Sequence, residues 1–342
     1  MLFEQIATGG CQSYLVGCQE KCVAALVDPE ISQLDRYQGL IAQHGMRLRY
    51  IIDTHTHADH FSAAHHFART MGTPVVMHHA SPAPFADMRL DDGDTLLIGN
   101  LRMQAIHTPG HTRDSMCLQV DDRLFTGDTL LIGSTGRTDL PTGNAEALYD
   151  SLFNGILKLP ADLKVFPAHD YKQQGSSTLA QEITHNSRLQ QRDRSAFIEM
   201  MQQLNLAAPR HLTEALRTNL SGGKTVQQML AEASAKTPFM SLDELHARID
   251  RGMQRLVVLD VREKDAYLAG HVPGARHLPR GQLELRVNTE LPDPTLRIVT
   301  VCDYGKISTL AAATLRELGY MHAVALDGGM TAWVEYGFPV KE

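Results

Sequence analysis

In the segment RYIIDTHTHADHFSAAHH a short apolar run ends in His55, His57, Asp59 and His60, four residues of metal-ligand type within six consecutive positions. The loop after a buried strand is where a rigid scaffold presents ligands. In an extended loop alternate residues point the same way, so His55 and His57 can face one metal position while Asp59 and His60, at the start of the following helix, approach a second. Histidine is also in surplus: there are 17, and nine of them (His55, His57, His60, His65, His66, His78, His79, His107 and His111) lie between positions 55 and 111. It is the commonest metal ligand, so a metal site is the first expectation. His65 and His66 fall in mid-helix without a matching partner and, with His78, His79 and His107, read as structural or solvent-facing.

At 342 residues the chain is long enough for about two domains. Hydrophobic residues at 43% and charged residues at 21% are those of an ordinary globular protein. Lys+Arg of 32 against Asp+Glu of 39 gives a net charge of -7, which argues against a nucleic-acid-coating or anionic-membrane surface. No apolar run approaches a membrane span and the first twenty residues lack an export signal, so the expected compartment is the cytoplasm. In that setting the five cysteines are expected as free thiols, with Cys11, Cys18, Cys22 and Cys117 acting as small core hydrophobes.

Turn signals place three hairpins, Tyr14 to Gly17 with Val23 to Val27, Thr95 to Ile98 with Leu101 to His107, and Met116 to Val120 with Arg123 to Thr126. Helices interleave: one capped by Ser32 and ended by Gly45, one over His60 to Met71, one capped by Asn144. Antiparallel hairpins with helices between them predict αββα layering. Residues 176–237 are polar and helical, an appendage and linker. From position 238 strands (Leu256 to Asp260, Arg297 to Val301, Ala323 to Leu326) alternate with helices, which predicts a second domain, 238–342, with a parallel sheet.

Three further segments extend the ligand series: His111 in IHTPGHT, Asp128 in LFTGDTLL and His169 in VFPAHDY. The ordered set resembles the metallo-β-lactamase superfamily over about positions 1 to 235, which implies an αββα sandwich with the metal at one edge of the sheets. Its residues permit two ligand sets. Two Zn(2+) ions would take His55, His57 and His111, then Asp59, His60 and His169, with Asp128 bridging, as in glyoxalase II thioesterases. One Fe(2+) would take His55, His111 and Asp128, leaving three positions open.

The stretches TGDTLLIGSTGRTDL, KVFPAHDY and HNSRL resemble the persulfide dioxygenases more closely. That resemblance implies one iron per chain held by His55, His111 and Asp128, with His57, Asp59, His60 and His169 in the inner pocket and Asp170 orienting a neighbour. It also implies that Arg137, Tyr171 and Arg188 bind glutathione, whose carboxylates suit guanidinium forks. The family commonly has an aromatic residue after GRTD, where this chain has Leu140. The implied reaction oxidises glutathione persulfide with O2 to sulfite and glutathione.

The C-terminal stretches LDVREKDAYLAGHVPGARHLP, VTVCDYGKIST and VALDGGMTAWVEYGFPV resemble a single rhodanese domain. Cys302, between a strand end and a helix N-terminus, is then the expected persulfide carrier, exchanging sulfane sulfur among glutathione, sulfite and thiosulfate. Active rhodaneses commonly carry arginine after this cysteine and a basic residue four places later; here Asp303 and Ile307 stand there and only Lys306 is basic. Three alternatives stay open: a two-zinc thioester hydrolase, a non-catalytic persulfide sensor, and a rhodanese domain that only docks or senses. The expected partners are small molecules, with no nucleic acid or membrane, and a homodimer is left open.

Overall fold

Each of the three expected hairpins forms in the computed structural model, which describes residues 1–209, 212–252 and 255–342. Cys11–Cys18 pairs with Val23–Val27, Thr95–Ile98 with Leu101–His107, and Met116–Val120 with Arg123–Gly127. They belong to two six-stranded sheets. The first runs in chain order: Leu2–Thr8, Cys11–Cys18 and Val23–Val27 are antiparallel neighbours, and Arg47–Ile52, Val75–His78 and Met88–Leu90 add on in parallel. In the second, Arg123–Gly127 pairs in parallel with Lys164–Pro167, and every other neighbouring pair is antiparallel.

Side chains alternate across a strand, and the sheets use both faces. Tyr14, Val16 and Ile52 of the first sheet meet Leu118, Phe125 and Phe166 of the second in a shared core. On the outer face of the first sheet Leu15, Leu26 and Ile51 pack on Tyr37, Ile41 and Phe67 of two helices. On that of the second, Leu124 and Val165 pack on Leu148, Leu152 and Phe197. Burial on both faces explains why these strands read as near-continuous apolar runs, and it makes the architecture the αββα sandwich that the sequence predicts.

Two helix starts differ from expectation. The first helix is Leu34–Gln43, and Ser32 sits in a preceding single turn where its hydroxyl donates to Glu30 Oε1 (2.8 Å) instead of capping. The second begins at Ala64, not His60. Ser62 donates its hydroxyl to Asp53 (2.8 Å) and accepts from the Ala64 amide (3.0 Å), so the helix starts there and leaves Asp59 and His60 in the loop. Asn144 caps Ala145–Tyr149 as expected.

Compact packing divides the chain into Met1–Gly223 and Lys224–Glu342, so the boundary expected near 238 falls at 223. The helix Val226–Lys236, expected in the linker, packs on Lys306–Glu317 of the second unit. That unit carries a five-stranded, fully parallel sheet in the order Phe239–Met240, Ala323–Leu326, Arg297–Val301, Leu256–Asp260, Arg276–His277. Among the described residues no helix is long and apolar enough to cross a membrane.

His78, the last residue of its strand, is buried and stacks on His107 with ring centroids 3.7 Å apart. Burial, and then the His107 ring, push its pKa down to about 4, against about 6.5 in an unfolded chain. Between roughly pH 6.5 and 4 the unfolded state binds the extra proton, so His78 makes stability fall as the medium is acidified. His78→Gln is expected to remove about 1 to 3 kcal/mol of that acid-side loss, measured as the pH dependence of urea unfolding. An unchanged slope would show that His78 does not titrate in this window.

Candidate metal centre

The ligand loop is tied down from below by Asp28, which follows the strand Val23–Val27. Its carboxylate is fully buried and accepts from the Thr54 amide (2.7 Å), the Thr54 hydroxyl (2.8 Å) and His57 Nε2 (3.1 Å). Asp28 adopts a left-handed backbone conformation, φ 47°, in which Asp is one of the few tolerated side chains. Burial raises its pKa, but His57, through its charge and its hydrogen bond, and the Thr54 amide more than offset this and hold it below the ordinary carboxylate range.

Because the Thr54 hydroxyl proton goes to Asp28, His55 Nδ1, 3.0 Å from Thr54 Oγ1, is the donor in that contact. The lone pair of His55 is therefore on Nε2, which is buried and has no hydrogen-bond partner. His111 is fixed in the same way: Nδ1 donates to the carbonyl of Arg137 (2.8 Å), and Nε2 lies 3.5 Å from Asp128 Oδ2. Asp128 follows the second-sheet strand Arg123–Gly127, and Gly136 lies against it so closely that a Cβ there would meet the Asp128 carbonyl oxygen at 1.9 Å. His55, His111 and Asp128 present one ligand atom each within 4.8 Å of one another. An orphaned imidazole nitrogen, a second imidazole and a carboxylate fit a divalent metal with open positions. Burial and His57 lower the pKa of His55 well below its usual value, which keeps the ring neutral.

The other candidate residues fall into two groups. His57 joins Asp28 and Asp53 rather than pooling its donor with His55 and His111, although its ring lies 4.1 Å from that of His55. Asp59, His60 and His169 gather with a residue outside the expected set, Cys11. Its Sγ lies 3.5 Å from His169 Nε2, 3.7 Å from Asp59 Oδ2 and 3.8 Å from His60 Nδ1. The reading of Cys11 as a core hydrophobe is thus corrected; Cys22 is exposed, whereas Cys18 and Cys117 are buried as expected. Burial raises the Cys11 pKa, and hydrogen bonds with His169 and His60 outweigh it, so the thiol ionises more readily than usual. His169 bridges the clusters, Nδ1 to Asp128 and Nε2 to Asp59, each at 2.7 Å.

Around this centre, Tyr171 is 75% exposed and lies flat over the His169 ring, centroids 5.6 Å apart. Arg188 is half-buried and donates to the Thr135 carbonyl (2.9 Å). The Arg137 guanidinium is engaged with Asp139 through two bonds of 2.6 and 2.7 Å and donates to the carbonyl of Ala207 (2.7 Å). Asp170 accepts from the Gly175 amide (2.7 Å) and so shapes the loop after His169.

In the second unit Cys302 is buried at the end of Arg297–Val301, and its sulfur accepts from the Ser308 amide (3.2 Å) in the first turn of Lys306–Glu317. Asp303 turns its carboxylate to Arg262 (3.2 Å), which also binds Asp260 (2.7 Å). Lys306 is exposed at the helix start.

A model of the metallo-beta-lactamase superfamily matches residues 6–169 and one of the rhodanese-like domain matches residues 241–336. The human "Persulfide dioxygenase ETHE1, mitochondrial" is 36% identical over 214 residues, 62% of this chain and 84% of that protein. The crystal structure of ETHE1 from Myxococcus xanthus superposes with a TM-score of 0.64 at 37% identity, covering 66% of this chain and all of that one. A metallo-beta-lactamase from Staphylococcus aureus covers 96% of this chain and 98% of its own at a TM-score of 0.62; at 24% identity it shows the fold alone. The chain therefore belongs to the persulfide dioxygenase family of the metallo-β-lactamase superfamily, with a rhodanese-like domain as its second unit.

Proposed function

We propose that the first unit oxidises glutathione persulfide with dioxygen at a single ferrous ion held by His55, His111 and Asp128, forming sulfite and glutathione. With one water consumed and two protons released the reaction balances. The observation that carries the reading is the division of donors: two imidazole nitrogens and one carboxylate converge, while His57 is committed to Asp28. A two-histidine, one-carboxylate face is the ligand set of iron oxygenases, and a ferrous ion held by these three residues would supply the redox chemistry that oxygenation of a sulfur needs. Thr54 and the Arg137 carbonyl hold the two imidazoles in the tautomers that such a metal needs.

Glutathione recognition falls to side chains above this face. Arg188 has no carboxylate bonded to it among the described residues, and desolvation lowers its pKa, so an anionic ligand gains from pairing with it. Tyr171 offers an exposed phenol beside the His169 ring. A glutathione carboxylate at Arg137 has to exchange with Asp139. The human relative named above is a persulfide dioxygenase, which agrees with this choice of substrate class.

The test is metal analysis combined with an oxygen electrode. One iron per chain, oxygen uptake with glutathione persulfide and none with glutathione alone are expected. Two zinc ions with hydrolysis of lactoylglutathione would replace this reading with the thioesterase one.

The second unit, in the same proposal, moves sulfane sulfur through Cys302 among glutathione, sulfite and thiosulfate. The Ser308 amide stabilises charge on the sulfur, while Asp303 brings a carboxylate to the rim that Arg262 only partly neutralises. A close charge in a solvated setting is worth roughly 1 kcal/mol. Asp303→Arg is expected to raise thiosulfate sulfurtransferase turnover about tenfold; an unchanged or lower rate would favour a docking or sensing role for this domain.

A further inference from the structure

Cys11 is held at the dioxygenase site by backbone geometry. It pairs with His169 through an isolated antiparallel backbone bridge, the adjacent Gln12 amide donates to the Ala168 carbonyl (2.8 Å), and the Asp170 amide donates to the Gly10 carbonyl (2.9 Å). Its sulfur is thereby fixed 3.5 Å from His169 Nε2 and 3.8 Å from His60 Nδ1. His60 is buried and its Nε2 has no partner. Cys11 itself is only partly buried, and the neighbouring Tyr171 is largely exposed, so this corner of the pocket opens to solvent. A thiol next to an imidazole is the arrangement that makes a cysteine nucleophilic. His169, which touches Cys11, also bonds Asp128 (2.7 Å), so the thiol stands one side chain away from the proposed metal ligands.

We propose that Cys11 is a sulfane-sulfur acceptor, taking the terminal sulfur of glutathione persulfide as a protein persulfide. The inference rests on a persulfide being the substrate of the site. The Cys11 sulfur attacks the terminal sulfur, the donor S–S bond breaks, and a new S–S bond forms on Cys11. The thiol proton passes to His60 and from there to the departing glutathione sulfur. The products are Cys11–S–SH and glutathione, with no net oxidation and no further reagent. Excess glutathione drives the same exchange backwards and regenerates glutathione persulfide. When oxygen is absent, the site therefore stores one sulfur per chain next to the centre that would oxidise it.

The experiment uses the full-length, iron-loaded protein without oxygen. It is incubated with glutathione persulfide, alkylated with iodoacetamide and digested with trypsin, and fragment ions distinguish Cys11 from Cys18 in their shared peptide. The expected result is an alkylated Cys11 carrying one additional sulfur, at several-fold higher occupancy than the exposed Cys22 and reversed by excess glutathione. In Cys11→Ser the additional sulfur is absent from this position. Occupancy at Cys11 no greater than at Cys22 would overturn the inference. Oxygen uptake measured on the same preparation keeps the two questions apart. Uptake without sulfur on Cys11 overturns this inference and leaves the dioxygenase reading standing; sulfur on Cys11 without uptake supports the inference and overturns that reading.

Discussion

On the proposed reading of the first unit, Asp128→Ala is expected to strip iron from the protein and to lower oxygen uptake with glutathione persulfide by about a thousandfold or more, equivalent to about 4 kcal/mol of lost barrier reduction. Asp128 supplies the single carboxylate of the three-residue face, and neither neighbouring acid replaces it. Asp59 is engaged with His169 (2.7 Å) and lies with Cys11 and His60, while Asp28 is locked under Thr54 and His57. A metal left with two imidazoles loses charge neutralisation as well as a bond. The same carboxylate holds His169 through Nδ1, so circular dichroism must show an intact fold. The measurements are iron per chain and oxygen uptake. His57→Asn provides the contrast: with a single iron it retains metal, whereas a two-zinc centre loses a ligand. Full iron occupancy and undiminished uptake in Asp128→Ala would remove this carboxylate from the metal site.

The second large effect concerns stability. Asp28→Ala is expected to destabilise the first unit by about 3 to 5 kcal/mol, the range for deleting one partner of a buried charge pair. Three donors lose their acceptor at once: the Thr54 amide, the Thr54 hydroxyl and His57 Nε2, all within the sandwich. The left-handed backbone at this position adds strain for alanine. Asp28→Asn keeps an acceptor oxygen and tolerates that conformation, so its expected loss is smaller, about 1 to 2 kcal/mol. The folded-state pKa of Asp28 is depressed. Its contribution is therefore complete above the unfolded value of about 3.9 and is lost as the pH falls further, so urea unfolding near neutral pH captures all of it. A loss below about 1 kcal/mol for Asp28→Ala would mean that the ligand loop is held by other contacts.

Much of this organisation was legible in the residue pattern. The strands around Val23, Leu101, Arg123, Leu256 and Arg297 are apolar runs between turn signals, and the structure places them as read. Motif order carried the family, because His55, His111, Asp128 and His169 each follow a strand end, and strand ends converge at one edge of a sandwich. Element boundaries were less legible. The helix after the ligand loop starts at Ala64 because Ser62 is captured by Asp53, a contact across the fold. The helix Val226–Lys236 looks like linker on composition alone and turns out to pack on Lys306–Glu317.

The sequence by itself determined the two-domain plan, the sandwich, the parallel sheet of the second unit and the inventory of ligand-type residues, since these follow from short-range hydrophobic periodicity and from motif order. Only the tertiary structure decided how that inventory is divided. His57 goes to Asp28, His169 stands between Asp128 and Asp59, Arg137 closes on Asp139, and Cys11 joins the pocket. Apart from the local Arg137–Asp139 pair, each outcome depends on pairing between residues far apart in the chain. The register that sets Cys11 against His169 is fixed by an isolated antiparallel backbone bridge between the two residues, and no local pattern around either residue encodes it.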